Sequence, residues 1–422
     1  MTRIIIKNVG PIKAVNIKIN KINVFMGPQS SGKSTIAKII SYCSWYEKNT
    51  ILGTRPNINF YKELLEFHNL EDNYFCDESL IEYKSPNSHI VFRGNDKDVV
   101  SVDTTVGPKR IFRNEKIEYI PAERNFVTIK GIGKYNETQD SALGFLYEWF
   151  DAKQDITKES KYRLPLASLN QTSYYYDKAS DKDKIVLEDG TELLLRHVSS
   201  GLVSATPLLI VYNYVMNVIY QKKRIRPPFE TVNVKEKIDS FNSEKLSNSF
   251  NEMQNNLKKL EERGNITGEF LSNYVQEQFV KLLGFESDYN YTKVIIEEPE
   301  LNLFPDTQRD LIYYLLSEIT KSQRNHQLFI TTHSPYILFA LNNCMMGGLV
   351  KEKIPDENKK EFASNKSWID PNLVSIYEIH EGTLEKIQDE DGIIEDNYLN
   401  KAYKANSSEY MSLLNYYEEN EE

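Results

Sequence analysis

The stretch Ile22-Asn23-Val24-Phe25-Met26-Gly27-Pro28-Gln29-Ser30-Ser31-Gly32-Lys33-Ser34-Thr35 decides how the rest of the chain reads. Ile22, Val24, Phe25 and Met26 make a short apolar run of the kind that forms a buried strand, and it breaks at Gly27. Gly27 to Ser34 then fits G-x-x-x-x-G-K-[ST], the pattern of a phosphate-binding loop. Past the loop, Ile36, Ile39 and Ile40 fall on one face of a helix. Gly27 and Gly32 let the backbone curl until its N–H groups and the helix N-terminus face the β- and γ-phosphates. Lys33 adds a point charge, and the Ser34 hydroxyl is placed to ligate Mg2+. A Gly/Ser turn with a chance lysine is the plainer alternative, and the strand–loop–helix order weighs against it. A nucleoside triphosphate site is expected, lined by Gly27, Pro28, Gln29, Ser30, Ser31, Gly32, Lys33, Ser34 and Thr35.

With 422 residues, 40% of them hydrophobic and 27% charged, the chain has the length and composition to bury a large core. Its net charge of −10 argues against a surface that coats duplex DNA indiscriminately, although a local basic groove stays compatible with it. Cys43, Cys76 and Cys344 are odd in number, scattered and without metal-ligand spacing, which points to a reducing compartment. The apolar run at the N-terminus is too short for a signal peptide. The most apolar stretch, Leu208 to Tyr220, contains Asn213 and Asn217 and falls short of a membrane span. A cytoplasmic location with no membrane contact is the expectation.

Strands are expected at 3–6 and 14–19, leading into 22–26. A helix is expected near 60–70, and paired strands at His89–Arg93 and Val99–Val102. The strand Lys116–Ile120 ends at Pro121-Ala122-Glu123-Arg124, residues 141–152 are helical by pattern, and Asp189-Gly190 supplies a hairpin turn. Ser199-Ser200-Gly201 precedes an apolar helix through Tyr220. In 221–285, Leu246, Phe250, Met253, Leu257 and Leu260 recur at heptad spacing, and Leu271, Val275, Phe279 and Leu282 mark a second amphipathic helix. An inserted helical hairpin is expected there, its two helices packed on each other or on the core. The core resumes with Lys293-Val294-Ile295-Ile296-Glu297-Glu298-Pro299-Glu300, a helix from about 306 to 321, strand Gln327–Thr332 and His333-Ser334-Pro335, with Ser334 as N-cap. A last hairpin turns at Glu381-Gly382, and the tail beyond it is acidic.

Three strands therefore end in chemistry: Met26 in the glycine loop, Ile296 in Glu297-Glu298, and Thr332 in His333. In a parallel α/β sheet such ends share one edge, where ligands bind. Glu297 is the candidate Mg2+ ligand beside Ser34, and Glu298 the group that polarises an attacking water. Two adjacent carboxylates ending an apolar strand are rarely structural, because burying them costs several kcal/mol each. His333 on its own reads as a capping or core histidine; placed after a core strand it becomes a candidate sensor of the γ-phosphate.

In order, Gly27–Thr35, Ser199-Ser200-Gly201, Glu297-Glu298-Pro299-Glu300 and Thr332-His333-Ser334-Pro335 make the chain resemble the ABC-type ATPase heads. More narrowly it is similar to the prokaryotic AAA-annotated branch that includes the OLD (overcoming-lysogenization-defect) nucleases, relatives of the SMC repair ATPases. The resemblance implies an α/β ABC-type head with an antiparallel β subdomain and a helical signature subdomain. Its parts would be an N-terminal lobe at 1–130, a signature subdomain at 131–220, the hairpin insertion at 221–285 and a C-terminal lobe at 286–422. It implies ATP and Mg2+ as cofactors, with Glu298 and His333 catalytic. It also implies that Ser199, Ser200 and Gly201 form a signature turn contacting the ATP of a second subunit, so that a head-to-tail homodimer sandwiches two nucleotides. The family's magnesium aspartate is Glu297 here, its signature glutamine is replaced by Leu202, and Pro121-Ala122-Glu123-Arg124 stands where its Q-loop falls. Slow hydrolysis follows from these departures. Arg124 is left with two readings, a reach into the nucleotide site or a pair with Glu123.

The resulting expectation is the ATPase subunit of a bacterial anti-phage defence or DNA-processing complex. Because the chain ends soon after the head, its effector, nuclease or toxin-like, would be a separate protein. A transporter's nucleotide-binding subunit is the alternative, although there the signature directly precedes the magnesium strand. An ATP-locked scaffold is another. Lys222, Lys223, Arg224 and Arg226 form a candidate nucleic-acid contact, against the plainer reading of solvated charge at a helix C-terminus.

Overall fold

The computed structural model describes residues 2–52, 58–97, 99–104, 114–129, 141–221 and 289–418. The helical hairpin expected over 221–285, all but its first residue, and the basic run from Lys222 to Arg226 lie outside the described residues.

Arg3–Val9 (β1) and Ile12–Lys18 (β2) pair antiparallel and turn Ile4, Ile6, Val15 and Ile17 inward. Ile22–Met26 (β3) is buried at every position and feeds helix Lys33–Leu52 (α1). Helix Phe60–His68 (α2) is closed by asparagines at both ends: the Asn59 side chain accepts from the Lys62 N–H, and Asn69 takes the left-handed conformation at the C-cap. Phe75–Lys84 (β4), His89–Arg93 (β5) and Val100–Asp103 (β6) follow as an antiparallel set, then Glu115–Ile120 (β7) and helix Ser141–Lys153 (α3).

Tyr162–Arg163 (β8), Ser173–Asp177 (β9), Lys182–Val186 (β10) and Glu192–Leu194 (β11) form a separate four-stranded sheet. The hairpin at Asp189-Gly190 is present, with Gly190 at φ +84°. Helix Ser200–Met216 (α4), Tyr291–Glu297 (β12), helix Pro305–Lys321 (α5), Gln327–Thr332 (β13) and helix Pro335–Val350 (α6) come next. Val374–His380 (β14), Thr383–Lys386 (β15) and helix Tyr398–Glu418 (α7) complete the order.

The main sheet has eleven strands in the order β6-β5-β4-β1-β2-β15-β14-β3-β13-β12-β7. From β14 to β7 its strands are parallel. They are buried on both faces, which is why β3, β12 and β13 read as continuous apolar runs instead of alternating ones. Val24, Val294, Ile296 and Ile330 face a core shared with α3, α4, α5 and α6; Phe25, Ile295 and Phe329 face one shared with α1 and α2. With its following 3-10 turn, α4 is long and apolar enough to cross a membrane, yet most of its surface is buried inside this fold. It is the central helix of the first core.

Two elements depart from the sequence reading. No strand is expected from sequence at 75–84, yet β4 forms there with Phe75, Ile81 and Tyr83 buried; its register on β1 shifts between Lys7 and Val9, where β4 carries three residues more than its partner and the alternating pattern is interrupted. The acidic tail contains a helix, α7, which exposes Tyr403, Tyr410, Leu413, Tyr416 and Tyr417; with little of it buried it leaves no core-facing pattern to read.

Next to the start of β13, His326 is buried, and its Nδ1 accepts the Thr292 N–H at 2.9 Å. Burial, with Arg324 and Lys21 nearby, brings its pKa down to about 4. Between pH 6.5 and 4 an unfolded chain takes up a proton that the folded one refuses. Stability should therefore rise with pH across that window and be lost as pH falls through it. In urea titrations at pH 7.5 and 5.0, the native chain should lose about 2 kcal/mol more than His326→Asn between the two conditions. Equal losses would contradict the assignment.

Candidate nucleotide-binding site

The loop after β3 has the geometry its glycines allow. Gly27 lies at φ +152° and Gly32 at φ +103°. A Cβ on Gly27 would stand 2.5 Å from the Ile379 carbonyl oxygen, so nothing larger fits. Pro28, Gln29 and Ser30 are exposed; Ser34 is half-buried and Thr35 buried at the start of α1. The buried Ser31 hydroxyl has no hydrogen-bond partner. Lys33 folds back into the loop and donates to the carbonyls of Gly27 at 2.9 Å and Pro28 at 2.8 Å. Burial lowers its pKa, while the carboxylates of Glu298 and Glu300 pull it back up. These two charges sit at the ends of other elements, so the loop and the acidic turn share one site.

At the end of β12, the Glu297 carboxylate is buried, and its Oε1 has no hydrogen-bond partner. Glu298 turns the chain with φ +41°, and its N–H reaches back to the Thr331 carbonyl at 2.9 Å. That left-handed turn aims the side chain at His333, whose Nε2 lies 2.6 Å from Glu298 Oε1. This contact holds Glu298 below the usual carboxylate range and raises His333. Glu300 fixes the next strand end: one oxygen accepts from the His333 N–H and the Thr332 hydroxyl, both at 2.8 Å. Burial raises its pKa, and its other oxygen has no hydrogen-bond partner. Ser334 caps α6 by accepting from the Tyr336 N–H and binds Gln308 at 2.5 Å, as its N-cap reading requires.

Three contributors were not assigned from sequence. Arg124 is fully buried and follows neither of its two readings, since its five hydrogen bonds all go to backbone carbonyls. The Tyr119 phenol is pushed well above its usual value by burial and, after that, by the charge of Glu297. From the start of α7, the Tyr398 hydroxyl donates to the Gly27 carbonyl at 3.1 Å. An arginine four residues beyond a strand end carries some signal; a tyrosine far downstream carries none.

Ser199, Ser200 and Gly201 are not brought to this chain's own glycine loop. Ser199 is the N-cap of α4, accepting from Leu202, and both serines are exposed. A Cβ on Gly201 would sit 3.0 Å from the Asn302 carbonyl oxygen, so α4 rests against the segment that follows the acidic turn.

For Mg2+, the donor set fits. A buried carboxylate oxygen without a partner at Glu297 and a hydroxyl at Ser34 are the hard oxygen ligands this ion takes. Replacing Lys33 with Ala should weaken MgATP binding by about 100-fold, roughly 2.7 kcal/mol. Glu298→Gln should bind within about threefold of the parent and turn over at least 100-fold more slowly. Equilibrium binding of a fluorescent ATP analogue and phosphate release check the pair, and parental turnover by Glu298→Gln would remove it from the role of base.

Residues 284–338, which carry β12, the acidic turn, α5, β13 and the start of α6, match a family model described as an AAA ATPase domain. The chain has no match among the curated proteins. Among solved structures it is similar to the SMC head domain from Thermotoga maritima, at 8% identity, with 92% of this chain and 98% of that one covered and a TM-score of 0.37. It is also similar to a Pyrococcus furiosus Smc head with an extended coiled coil bound to the C-terminal domain of ScpA (8% identity, 92% and 96% covered, TM-score 0.38). The recombination mediator RecF is a third (11% identity, 91% and 97% covered, TM-score 0.28). At these values the three are resemblances only, and it is the 284–338 match that places an ATPase-type segment at the acidic turn.

Proposed function

We propose that the chain is an ABC/SMC-like ATPase that binds MgATP on Gly27–Thr35 and hydrolyses it with Glu298 and His333. The observation that carries this reading is the 2.6 Å contact between Glu298 and His333 at the sheet edge where Lys33 senses the same carboxylate. Lys33 exchanges its two loop carbonyls for phosphate oxygens, and the N-terminus of α1 faces the same anion. Ser34 and Glu297 are the residues that would hold Mg2+, which when bound neutralises charge on the phosphates. Glu298 stays ionised at neutral pH because His333 holds it so, and an ionised carboxylate orients a water and takes its proton as the oxygen attacks the γ-phosphate. His333 fixes the rotamer of that carboxylate and brings positive charge to the side where the phosphoryl group leaves.

The assembly we propose is a homodimer in which the Ser199-Ser200-Gly201 turn completes the partner's site. Its support is that both serines are exposed at the N-terminus of α4 while their hydrogen bonds stay within that helix, leaving the end free to meet an anion. In this reading the dimer is the nucleotide-driven part of a bacterial anti-phage defence or DNA-processing complex, acting on a separate effector. A transporter subunit is less well supported, since residues 202–290 separate the turn from β12.

Mixing subunits tests the assembly. Lys33→Ala and Ser200→Arg chains should each be nearly inactive alone. Their mixture should regain a measurable fraction of parental phosphate release, because one of the two sites in each heterodimer keeps both functional halves. Heterodimers that form without regaining activity would refute composite sites, and tight ATP binding with no turnover in the parent would favour a scaffold.

A further inference from the structure

Arg124 is the largest charged side chain fully withdrawn from solvent among the described residues, and nothing said so far uses it. Among the described residues, no carboxylate comes within ion-pair distance of its guanidinium. Instead its donors are divided among three segments. Nε reaches the Ser204 carbonyl in α4 at 3.1 Å. One terminal nitrogen reaches Pro121 at 3.3 Å and Glu297 at 3.1 Å. The other reaches Glu298 at 3.1 Å and Pro299 at 3.2 Å. A planar fork can satisfy several carbonyls at once where an ammonium satisfies fewer, which is why the group has to be arginine.

The carbonyls it gathers matter for where they lie. Those of Glu297, Glu298 and Pro299 are three consecutive acceptors of the acidic turn, at the point where Glu298 takes φ +41°. A glutamate is held in the left-handed region only when its surroundings over-determine it. Here the Thr331 carbonyl takes its N–H and Arg124 takes its carbonyl. On the α4 side, Pro207 withholds the backbone donor due to Val203, one residue from the carbonyl that Arg124 uses. The same helix presses Gly201 against Asn302, so α4 meets the acidic loop at two points, one of them through Arg124.

We infer that Arg124 is a positioning residue, which ties the backbone of the acidic turn to helix α4 so that the Glu298 carboxylate is held on His333 and follows any movement of the Ser199-Ser200-Gly201 end. The inference rests on the proposed ATPase reading and adds to it a route by which the turn at 199–201 governs the base.

The test uses the full-length chain with Arg124→Lys and Arg124→Ala. Each is assayed for affinity toward a fluorescent ATP analogue with Mg2+ and for steady-state turnover, with and without millimolar guanidinium. A positioning role separates the two readouts. Arg124→Lys should bind within about threefold of the parent and lose at least tenfold in kcat. Arg124→Ala should regain part of its kcat when guanidinium is added, whereas the parent and Glu298→Gln should gain nothing. Parental kcat in Arg124→Lys, or affinity and kcat falling together, would overturn the inference while leaving the ATPase reading intact. A chain that folds only with arginine at 124, even when guanidinium is supplied, would make the residue a structural staple and would also overturn it. A parent that binds no ATP would sink the ATPase reading and the inference with it.

Discussion

Everything at the candidate site depends on the parallel pairing of β13 with β3 on one side and β12 on the other. The registers place Thr332 opposite Met26 and Thr331 opposite Glu297. The glycine loop, the acidic turn and His333 thereby leave the sheet at the same level. Nothing local to any of the three stretches brings them together: the glycine loop lies more than 250 residues before the acidic turn, and a whole helix, α5, separates that turn from His333. What does so is the burial of both faces of these strands, since a slip of one residue would turn Phe25, Ile295 and Phe329 into the wrong core. The two apolar cores are thus what aligns the polar edge.

That edge gathers an unusual density of charge for a buried region. Lys33, Arg124 and Glu297 are buried, with Glu298, Glu300 and His333 beside them partly exposed. Unpaired, each buried charge would cost several kcal/mol. The chain answers with backbone dipoles more than with ion pairs: Lys33 rests on two carbonyls, Arg124 on five, and Glu300 on an N–H and a hydroxyl. Such partners neutralise nothing. In the ATPase reading proposed above, this leaves the Lys33 ammonium able to exchange its carbonyls for a phosphate, which a tight Lys–Glu pair would prevent.

Much of this was legible in the sequence. The loop at 27–34, the strands at 22–26, 293–296 and 327–332, the N-cap at Ser334 and the hairpins at 189–190 and 381–382 rest on local patterns, and local patterns survive folding. What escaped was set by distance in space. Arg124 could be singled out as odd, but its partners at 204 and 297–299 appear only once α4 packs over the sheet edge. The bulge that hides β4 belongs to a pairing with β1, and the contact of Tyr398 with Gly27 joins the two ends of the chain. Side chains that act on backbone atoms leave no compositional trace, because any residue supplies a carbonyl.

Glu298 shows how the local and the distant combine. Its type and place at a strand end were readable, and they suggested a base. Its conformation depends on a left-handed backbone that costs on the order of 1 kcal/mol or more in a residue with a Cβ. A glycine there would remove the strain and the carboxylate together; the strain is accepted because the turn must change direction just where the charge is needed. The left-handed turn carries the carboxylate to His333, where a bond of 2.6 Å fixes it. The Thr331 carbonyl and Arg124 hold that turn from opposite sides, one from the neighbouring strand and one reaching to α4. If Glu298 is the base proposed above, holding it by the sheet alone would leave it permanently set; held by the sheet and a helix together, it would be set only while the helix stays in place.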